Sequence, residues 1–285
     1  MVDSPLGDYL RARRAGLRPE DVGIRSISSR RVQGLRRDEV AQLAGISPEY
    51  YLRLEQGRGH QPSHQVLRSL ARALRLEDGA VLYMARLIRI ESGEPPREDP
   101  PLAAMTESSL GKMMGQWKST PAYLTDRNQK VILCNDLAKS ILPGSLRDGA
   151  NLVLQVFGAE WRSQDRDWEA TAQGVVATLR FYGDPGDPTF RDLVGLLSMR
   201  DPDFRRIWAT HDASESAGGQ LQLDVAGVGH VDFTQQRLRL AGDENHLLTV
   251  LHARPGSVAA EVVRSLTGAE AVDVSLSARD GQETA

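Results

Sequence analysis

The residues whose types and spacing suggest chemistry lie in the stretch LRRDEVAQLAGISPEYYLRLEQGR, residues 35–58. If its second half is a helix, one face presents Ser47, Glu49, Tyr50 and Arg53. An arginine can donate two hydrogen bonds to O6 and N7 of guanine, and a glutamate can accept one from N4 of cytosine. A tyrosine ring can pack on the methyl group of thymine. This face therefore has the groups needed to read base edges in the major groove of DNA.

Two short helices joined by a tight turn must position these side chains. We expect the helices at residues 36–44 and 48–56. Gly45 can adopt the left-handed conformation that reverses the chain, Ser47 can cap the second helix, and Pro48 suits its first position. The small Ala41 lets the helices cross closely, and a shared core is expected from Val40, Leu43, Ala44, Ile46, Tyr51 and Leu54. These are the parts of a DNA-binding helix-turn-helix.

Arginines surround this unit. Arg37, at the start of the first helix, is expected near the same groove edge as the reading face. Contacts to phosphate are expected from Arg30, Arg31, Arg36 and Arg58. Residues 1–75 contain 14 Arg, no Lys and 8 acidic residues, a net charge of +6, whereas the remainder carries −9. The charge distribution predicts that only the N-terminal part meets a polyanion.

The chain divides into regions that differ in composition and in hydrophobic periodicity. We predict an all-α N-terminal domain of five helices over residues 1–90, a proline-rich linker over 91–101, a second domain over 102–257 and a partly disordered tail over 258–285. The second domain reads as α+β: two strands around an Asp-Arg-Asn turn, several helices, then three strands. Asn135 follows the second strand and is expected to cap the next helix.

A sheet covered by helices can enclose an apolar cavity. Its wall is expected to draw on Trp117, Leu124, Ile132, Phe157, Trp161, Trp168, Val176, Phe204 and Trp208, although each of these could equally fill a core. A carboxylate ligand needs a cation at the edge of the cavity. Arg180 is the first candidate, and Arg205 and His211 on either side of Trp208 are the next. Each could instead be a surface or capping residue.

The sequence gives little indication of a membrane, secreted, metal-binding or catalytic protein. No apolar run approaches the roughly 18 residues of a membrane span, and the N-terminus has no apolar signal core, so we expect a cytoplasmic protein that binds no membrane. The single cysteine, Cys134, excludes an internal disulfide and lies in an apolar run typical of a buried thiol. The six histidines are scattered, and no phosphate-binding glycine loop or GxSxG motif is present. We therefore expect no catalytic residues, no metal and no cofactor.

The quoted motifs resemble a known family. YLRARRAGL, RRDEVAQLAGIS and YYLRLEQGR are similar to the helices of the Xre (Cro/C1-type) helix-turn-helix family. The longer signatures RVQGLRRDEVAQLAG and YYLRLEQGRGHQPS, followed by VILCNDLA, DRDWEATAQGVVATLR, DLVGLLSMRDPDFRRIWATHD and LHARPGS, resemble the MmyB-like transcription regulators. The resemblance implies a transcription regulator whose C-terminal domain is PAS-like and binds a small, lipid-like molecule.

These inferences predict a sequence-specific regulator. It would bind a double-stranded DNA operator as a homodimer, sense a small apolar or fatty-acid-like ligand, and be able to contact RNA polymerase. One alternative is a constitutive DNA-binding regulator whose second domain serves only dimerisation. Another is an enzyme or cofactor carrier with an accessory DNA module, which would require a reactive group or chromophore that the sequence does not offer.

Overall fold

The computed structural model of the chain describes residues 4–24, 32, 34–59, 61–77, 79–93, 108–142, 146–165, 167–215, 218–225, 228–240 and 246–268. The chain forms two compact units. Residues 1–96 and 176–215 form the first, called here the helical unit, and residues 97–175 and 216–285 form the second, the sheet unit. Within the described ranges, no helix combines the length and the apolarity needed to cross a bilayer.

Five α-helices form the N-terminal part of the helical unit, as the sequence predicts. They are α1 (Pro5–Gly16), α2 (Arg37–Ala44), α3 (Pro48–Glu55), α4 (His64–Ala73) and α5 (Ala80–Glu91). Several begin with a side-chain cap: the hydroxyls of Ser4, Ser47 and Ser63 each accept a hydrogen bond from a backbone N–H of the first turn. These caps satisfy donors that have no partner inside the helix.

Helix α5 does not follow α4 directly but begins at Ala80. Arg75 adopts a left-handed conformation with φ of 48°, and the N–H of Leu76 closes back onto the carbonyl of Ala71, so α4 ends in a tight turn. Leu43 was expected in the core but is 40% exposed, because α2 buries its other face.

The remaining elements follow in the order that the sequence indicates, except that residues 258–268, which were predicted to belong to the tail, form a helix that packs on the sheet. The helices are α6 (Ser109–Gln116), α7 (Asp136–Ile141), α8 (Leu152–Val156), α9 (Ala159–Gln164), α10 (Trp168–Tyr182), α11 (Pro188–Arg200), α12 (Pro202–Trp208) and a C-terminal helix over residues 258–268. The strands are β1 (Ala122–Asp126), β2 (Val131–Cys134), β3 (Gly218–Val225), β4 (Gly229–Arg239) and β5 (His246–His252). An all-α region followed by an α+β domain is thereby confirmed.

The five strands form one antiparallel sheet in the order β2-β1-β5-β4-β3. The β1–β2 turn is closed by the carboxylate of Asp126, which accepts hydrogen bonds from the N–H groups of Asn128 and Lys130. At the end of β2, the side chain of Asn135 accepts from the N–H of Ala138 and so caps α7, as predicted. The strand that comes last in the sequence, β5, lies in the middle of the sheet, and most of its residues are buried.

Both faces of the central strands are covered. On one face, α7, the helix over 258–268 and the segment around α8 pack on side chains such as Val131, Phe233 and Leu251. On the other face, Met114 of α6 packs on Leu124 and Leu248. Burial of these apolar groups provides the driving force that holds the helices on the sheet.

The helices α1 and α3 approach each other most closely at Gly7. A Cβ atom placed on Gly7 would lie 2.4 Å from the carbonyl oxygen of Glu55, so only glycine fits at this crossing. The other glycine of α1, Gly16, has open space around its Cβ position. The end of α3 is therefore held against α1 by backbone contact.

We predict that Gly7→Ala lowers the free energy of unfolding by about 1–3 kcal/mol, because the added methyl group overpacks this crossing. Gly16→Ala is the matched control and should leave stability unchanged or raise it by about 1 kcal/mol at most. Urea unfolding of both variants measures the difference. Equal stability of the two variants would contradict the close approach of α1 and α3.

Candidate nucleic-acid interface and ligand cavity

The turn between α2 and α3 has the geometry expected of a helix-turn-helix. Gly45 has a φ of 68°, and the N–H groups of Gly45 and Ile46 bond back to the carbonyls of Gln42 and Ala41 at 3.2 and 3.0 Å. The chain then turns into α3, whose first N–H groups are capped by Ser47. Left-handed closure followed at once by a new cap fixes the angle at which α3 leaves α2.

The outer face of α3 presents the side chains that the sequence indicated. Ser47, Glu49 and Arg53 are exposed, and Tyr50 is half-buried. The guanidinium carbon of Arg53 lies 6.0 Å from the centre of the Tyr50 ring, which orients the arginine along the helix surface. The Ser47 hydroxyl accepts from the N–H of Tyr50 at 3.1 Å and can still donate its proton to an acceptor on DNA.

A buried carboxylate at the end of α3 binds two arginines. Glu55 is 1% exposed, and its Oε1 and Oε2 lie 2.6 Å from Nε of Arg14 and Nε of Arg37 respectively. Burial alone would raise the pKa of Glu55, but the hydrogen bonds from Arg14 and Arg37 outweigh it, so the pKa is lowered. Glu55 is thus held as a carboxylate that joins α1, α2 and α3.

This cluster extends to the backbone. Arg14 also donates to the carbonyl of Leu35 at 2.9 Å, and Arg11 donates to the carbonyl of Glu55 at 3.1 Å. The sequence analysis did not identify Glu55, because a glutamate in a helix pair that carries several other charged residues resembles an ordinary surface charge. Its position four residues after Tyr51, on the buried side of α3, is the signal that could have found it.

The candidate phosphate contacts lie at both ends of the helix pair. Arg36 is exposed at the start of α2, where its N–H donates to the carboxylate of Glu39 at 2.6 Å. Arg58 is exposed just after α3. Arg37 is half-exposed, with its Nε on Glu55. The expected contacts from Arg30 and Arg31 fall outside the described residues.

The sheet unit contains a cavity of roughly 330 Å³. Its apolar wall comes from Leu221 of strand β3 and from the segments that cover the sheet, with Leu142, Leu146, Leu152, Val156 and Trp161. The first half of α10 contributes Ala170, Thr171, Gly174 and Val175. This volume is at the lower end of the range, about 300–1,000 Å³, that small-molecule sites occupy.

Polar groups lie at one part of the cavity wall. Arg237 and Gln235 of β4 line it together with Tyr123 of β1. In the amide orientation that satisfies both groups, the side-chain oxygen of Gln235 accepts from Nε and Nη2 of Arg237, each at 3.1 Å. The pKa of Tyr123 is raised by burial, which the positive charge of Arg237 partly opposes. The wall therefore combines a cation with uncharged hydrogen-bonding groups and, elsewhere in the lining, with Asp165 and Asp167.

An acidic side chain also borders the cavity. Asp165 is buried, and its carboxylate accepts from the indole N–H of Trp161 at 3.2 Å and from the N–H of Asp167 at 2.9 Å. These bonds join the end of α9 to the start of α10. They hold Trp161, which the sequence analysis had suggested for the wall, in its position beside the cavity.

Arg237 and Gln235 were missed by sequence reasoning. In β4 the odd-numbered residues Val231 and Phe233 are buried, and the same alternation places Gln235 and Arg237 on that face. A strand period of two residues carried through to the end of the strand would have found them. The charge of the arginine argued against this reading, because arginines on strands usually face solvent.

The other candidate ligand residues are not among those that line this cavity. Phe157 and Trp168 pack edge to face with their ring centres 5.6 Å apart, and the indole of Trp168 donates to the carbonyl of Val156 at 2.7 Å. Arg205 donates to the carbonyl of Ser198 at 2.9 Å, near the end of α11. His211 is a left-handed residue after α12, and burial lowers its pKa. Arg205 and His211 belong to the helical unit.

Arg180 is also in the helical unit and is 7% exposed. Its guanidinium lies 3.8 Å from the centre of the Trp208 ring and donates to the carbonyls of Trp208 and Asp212. Burial lowers the pKa of Arg180 to about 10. These contacts join α10 to the segment that follows α12.

The described part of the chain offers neither a reactive cysteine nor a cluster of metal ligands. Cys134 is buried, and burial raises the pKa of its thiol to about 12. Among the residues that the structure describes, no three His, Cys, Asp or Glu side chains are grouped as metal ligands. The arrangement therefore offers a binding cavity and an exposed reading helix.

Two family models match the chain. One, described as the MmyB-like transcription regulator ligand binding domain, matches residues 107–266, which is more than half of the chain. The other, described as a helix-turn-helix domain, matches residues 5–82. No curated protein gives a significant match.

We predict that Glu55→Gln lowers the free energy of unfolding by about 3 kcal/mol, because its amide nitrogen would face a guanidinium and leave a buried charge without its partner. The pKa of Glu55 is lowered in the folded state. Its contribution is therefore fully present above about pH 4.3 and is lost as the pH falls through the folded-state pKa. The difference in free energy of unfolding between the unsubstituted protein and Glu55→Gln should therefore become smaller in acid.

Glu49→Gln on the same helix is the control for this measurement, since Glu49 is exposed and its replacement should change stability by no more than about 0.5 kcal/mol. Denaturant unfolding at pH 7 and at pH 3.5 gives both comparisons. A Glu55→Gln variant as stable as Glu49→Gln at pH 7 would mean that the cluster does not hold α3.

Proposed function

This chain belongs to the MmyB-like transcription regulator family and is a DNA-binding transcription regulator with a ligand-binding domain, and we propose that it is switched by a small amphiphilic acid bound in the 330 Å³ cavity. The observation that carries this proposal is the cation, Arg237, in the wall of a cavity that has both an apolar part and a polar part. A fatty-acid-like ligand has matching chemistry: a chain for the apolar wall and a carboxylate for the guanidinium.

Base reading is assigned to the exposed face of α3. Arg53 is proposed to bind guanine and Glu49 to accept from cytosine, while Tyr50 and Ser47 contact neighbouring bases or phosphate. Arg36 and Arg58 are proposed to neutralise phosphates at the two ends of the helix pair, together with Arg30 and Arg31. Because Arg37 is bonded to Glu55, its main proposed role is to orient α3, with its exposed part near the DNA backbone.

We propose that the regulator acts as a homodimer. One α3 contacts too few base pairs for useful specificity, and two half-sites about 34 Å apart would bring two copies onto one face of the operator. Bound at a promoter, such a dimer could also contact RNA polymerase. The acidic remainder of the chain is repelled by DNA, so it would orient away from the duplex.

Ligand occupancy can be tested directly by mass spectrometry of the small molecules released when the purified protein is denatured. A stoichiometric amphiphilic acid would support the proposal and give a ligand for DNA-binding assays. If the protein stays empty after incubation with dodecanoate and with lipid extracts, the second domain acts without an amphiphilic ligand, as a constitutive regulator would require.

The base-reading assignment predicts that Arg53→Ala weakens binding to an operator selected from random DNA by roughly 1–3 kcal/mol and relaxes preference at one base pair. Arg58→Ala should instead weaken binding to all sequences alike and reduce the slope of log affinity against log salt by about 1. Fluorescence anisotropy on the operator and its single-base variants separates the two. Unchanged base preference in Arg53→Ala would contradict the assignment.

The ligand assignment predicts that Arg237→Gln weakens dodecanoate binding by at least tenfold, equivalent to about 1.4 kcal/mol, because the carboxylate loses its charged partner. Binding of dodecanol, which has no carboxylate, should change less than threefold. Arg239→Gln is the matched control, an exposed arginine two residues further along β4 that does not line the cavity. Calorimetric titration of both variants gives the comparison, and equal effects of the two substitutions would exclude Arg237 as the partner.

A further inference from the structure

The helical unit contains a contact between α5 and the end of α10. The ring of Phe181 stacks on that of Tyr83 with centres 5.8 Å apart, and Tyr83 in turn meets Tyr9 of α1 edge to face at 4.9 Å. All three side chains are buried. Aromatic pairs of this kind add to the free energy of burial and fix the mutual angle of the rings.

A guanidinium reinforces this contact. Arg86, one turn after Tyr83 on α5, donates to the carbonyls of Phe181 and Tyr182 at the C-terminus of α10. The last carbonyls of a helix have no hydrogen-bond donor within the helix and carry the negative end of its dipole. A cation at this end therefore both donates hydrogen bonds to these carbonyls and interacts favourably with the dipole. The α5–α10 contact, defined here as Tyr83 and Arg86 with Phe181 and Tyr182, thus bonds α5 to a particular end of α10.

The segment after α12 adds two further bonds to the DNA-binding helices. Asp212 forms an ion pair with Arg13 of α1, and the hydroxyl of Ser214 donates to the carboxylate of Glu77, just before α5, at 3.0 Å. Arg180 on α10 holds this same segment through the carbonyls of Trp208 and Asp212. The second half of α10 is therefore connected to α1 and α5 both directly and through this segment.

The first half of the same helix lines the cavity. Thr171, Gly174 and Val175 belong to its wall, and Phe181 follows within the same unbroken helix. At 1.5 Å per residue, Thr171 and Phe181 lie about 15 Å apart along the axis. A continuous helix moves as one body, and close-packed contacts pass a shift of one end to the side chains packed on the other.

From these contacts we infer that α10 is the coupling element of the regulator: an occupied cavity shifts α10, and the α5–α10 contact passes the shift to the DNA-binding helices. The inference rests on the proposed function, since it needs a ligand that the cavity binds. It goes beyond that function by naming the residues through which occupancy changes operator affinity. Arg86 acts here as a positioning residue that contacts neither DNA nor ligand.

A substitution can imitate an occupied cavity without a known ligand. Gly174 lines the cavity, and a Cβ placed on it meets no heavy atom within 4 Å, so Gly174→Leu would put an isobutyl group into the space. Gly115→Leu is the matched control, because Gly115 lies on α6, is exposed, has equal room and does not line the cavity. The filled cavity should change affinity for the selected operator by at least fivefold, the lower end of typical allosteric coupling of roughly 5- to 150-fold.

The decisive experiment removes the α5–α10 contact. Arg86→Met keeps the apolar stem and deletes both hydrogen bonds, while Arg89→Met changes an exposed arginine three residues further along α5. In the full-length Arg86→Met protein, we expect operator affinity near that of the unsubstituted protein and less than a twofold effect of Gly174→Leu. In Arg89→Met, the fivefold effect should persist. Circular dichroism checks folding, and Asp212→Asn serves as the second variant if Arg86→Met does not fold.

The outcomes separate the two proposals. An effect of Gly174→Leu that is equally large with and without Arg86 would overturn coupling through this contact while leaving ligand sensing intact. If, with Arg86 intact, neither the Gly174→Leu substitution nor saturating dodecanoate on the unsubstituted protein changes operator affinity, sensing itself fails and the coupling inference fails with it. Loss of the effect in Arg89→Met as well would show a general loosening of α5, which also contradicts the specific role of Arg86.

Discussion

The carboxylate of Glu55 is the group on which the DNA-binding surface depends. An ionised carboxylate that is 1% exposed would be strongly unfavourable alone, and here Arg14 and Arg37 compensate it. Because the two arginines come from α1 and α2, the charge can be compensated only when all three helices are in place. The desolvation cost thereby becomes a geometric constraint: a misplaced α3 would leave Glu55 without its partners.

This constraint divides the arginines of the basic region by role. Arg14 and Arg37 hold the frame, whereas Arg53 and Arg58 remain on the exposed surface where DNA can reach them. Both groups raise the positive potential around α3, since pairing of two arginines with one carboxylate still leaves a net positive charge. Orientation of the reading helix and attraction of the polyanion thus come from overlapping sets of residues.

The sequence was sufficient for the features that local chemistry determines. Gly45, Ser47 and Pro48 specify a turn and a cap whatever surrounds them, and the alternating strands around Asp126 and Asn128 specify a hairpin. Features that depend on long-range pairing were not accessible. Nothing near Glu55 indicates that it will meet Arg14, 41 residues earlier, and nothing in the α10 sequence separates the half that lines a cavity from the half that packs on α5.

Arg180 shows that long-range pairing can also mislead a prediction from the sequence. The sequence argument selected Arg180 because a carboxylate ligand needs a cation at the edge of the cavity. The nearest acceptors of Arg180 are backbone carbonyls 28 and 32 residues further along the chain, a pairing that periodicity cannot reveal. Arg237 has fewer apolar neighbours in the sequence, yet strand alternation brings it to the cavity wall.

The size of the cavity limits how far the proposed regulation through α10 could change operator affinity. A ligand shifts a conformational equilibrium only by the difference between its affinities for the two states, and moving a population from 1:99 to 99:1 takes about 5.5 kcal/mol. Burying one methylene contributes about 0.8 kcal/mol, and most of that is gained in both states when the cavity differs little between them. Under the proposed function, a ligand that fills roughly 330 Å³ would therefore produce a graded change in operator affinity. In the proposed homodimer, both copies bind one operator, so a modest change in the affinity of each DNA-binding unit would contribute twice to the change in operator affinity.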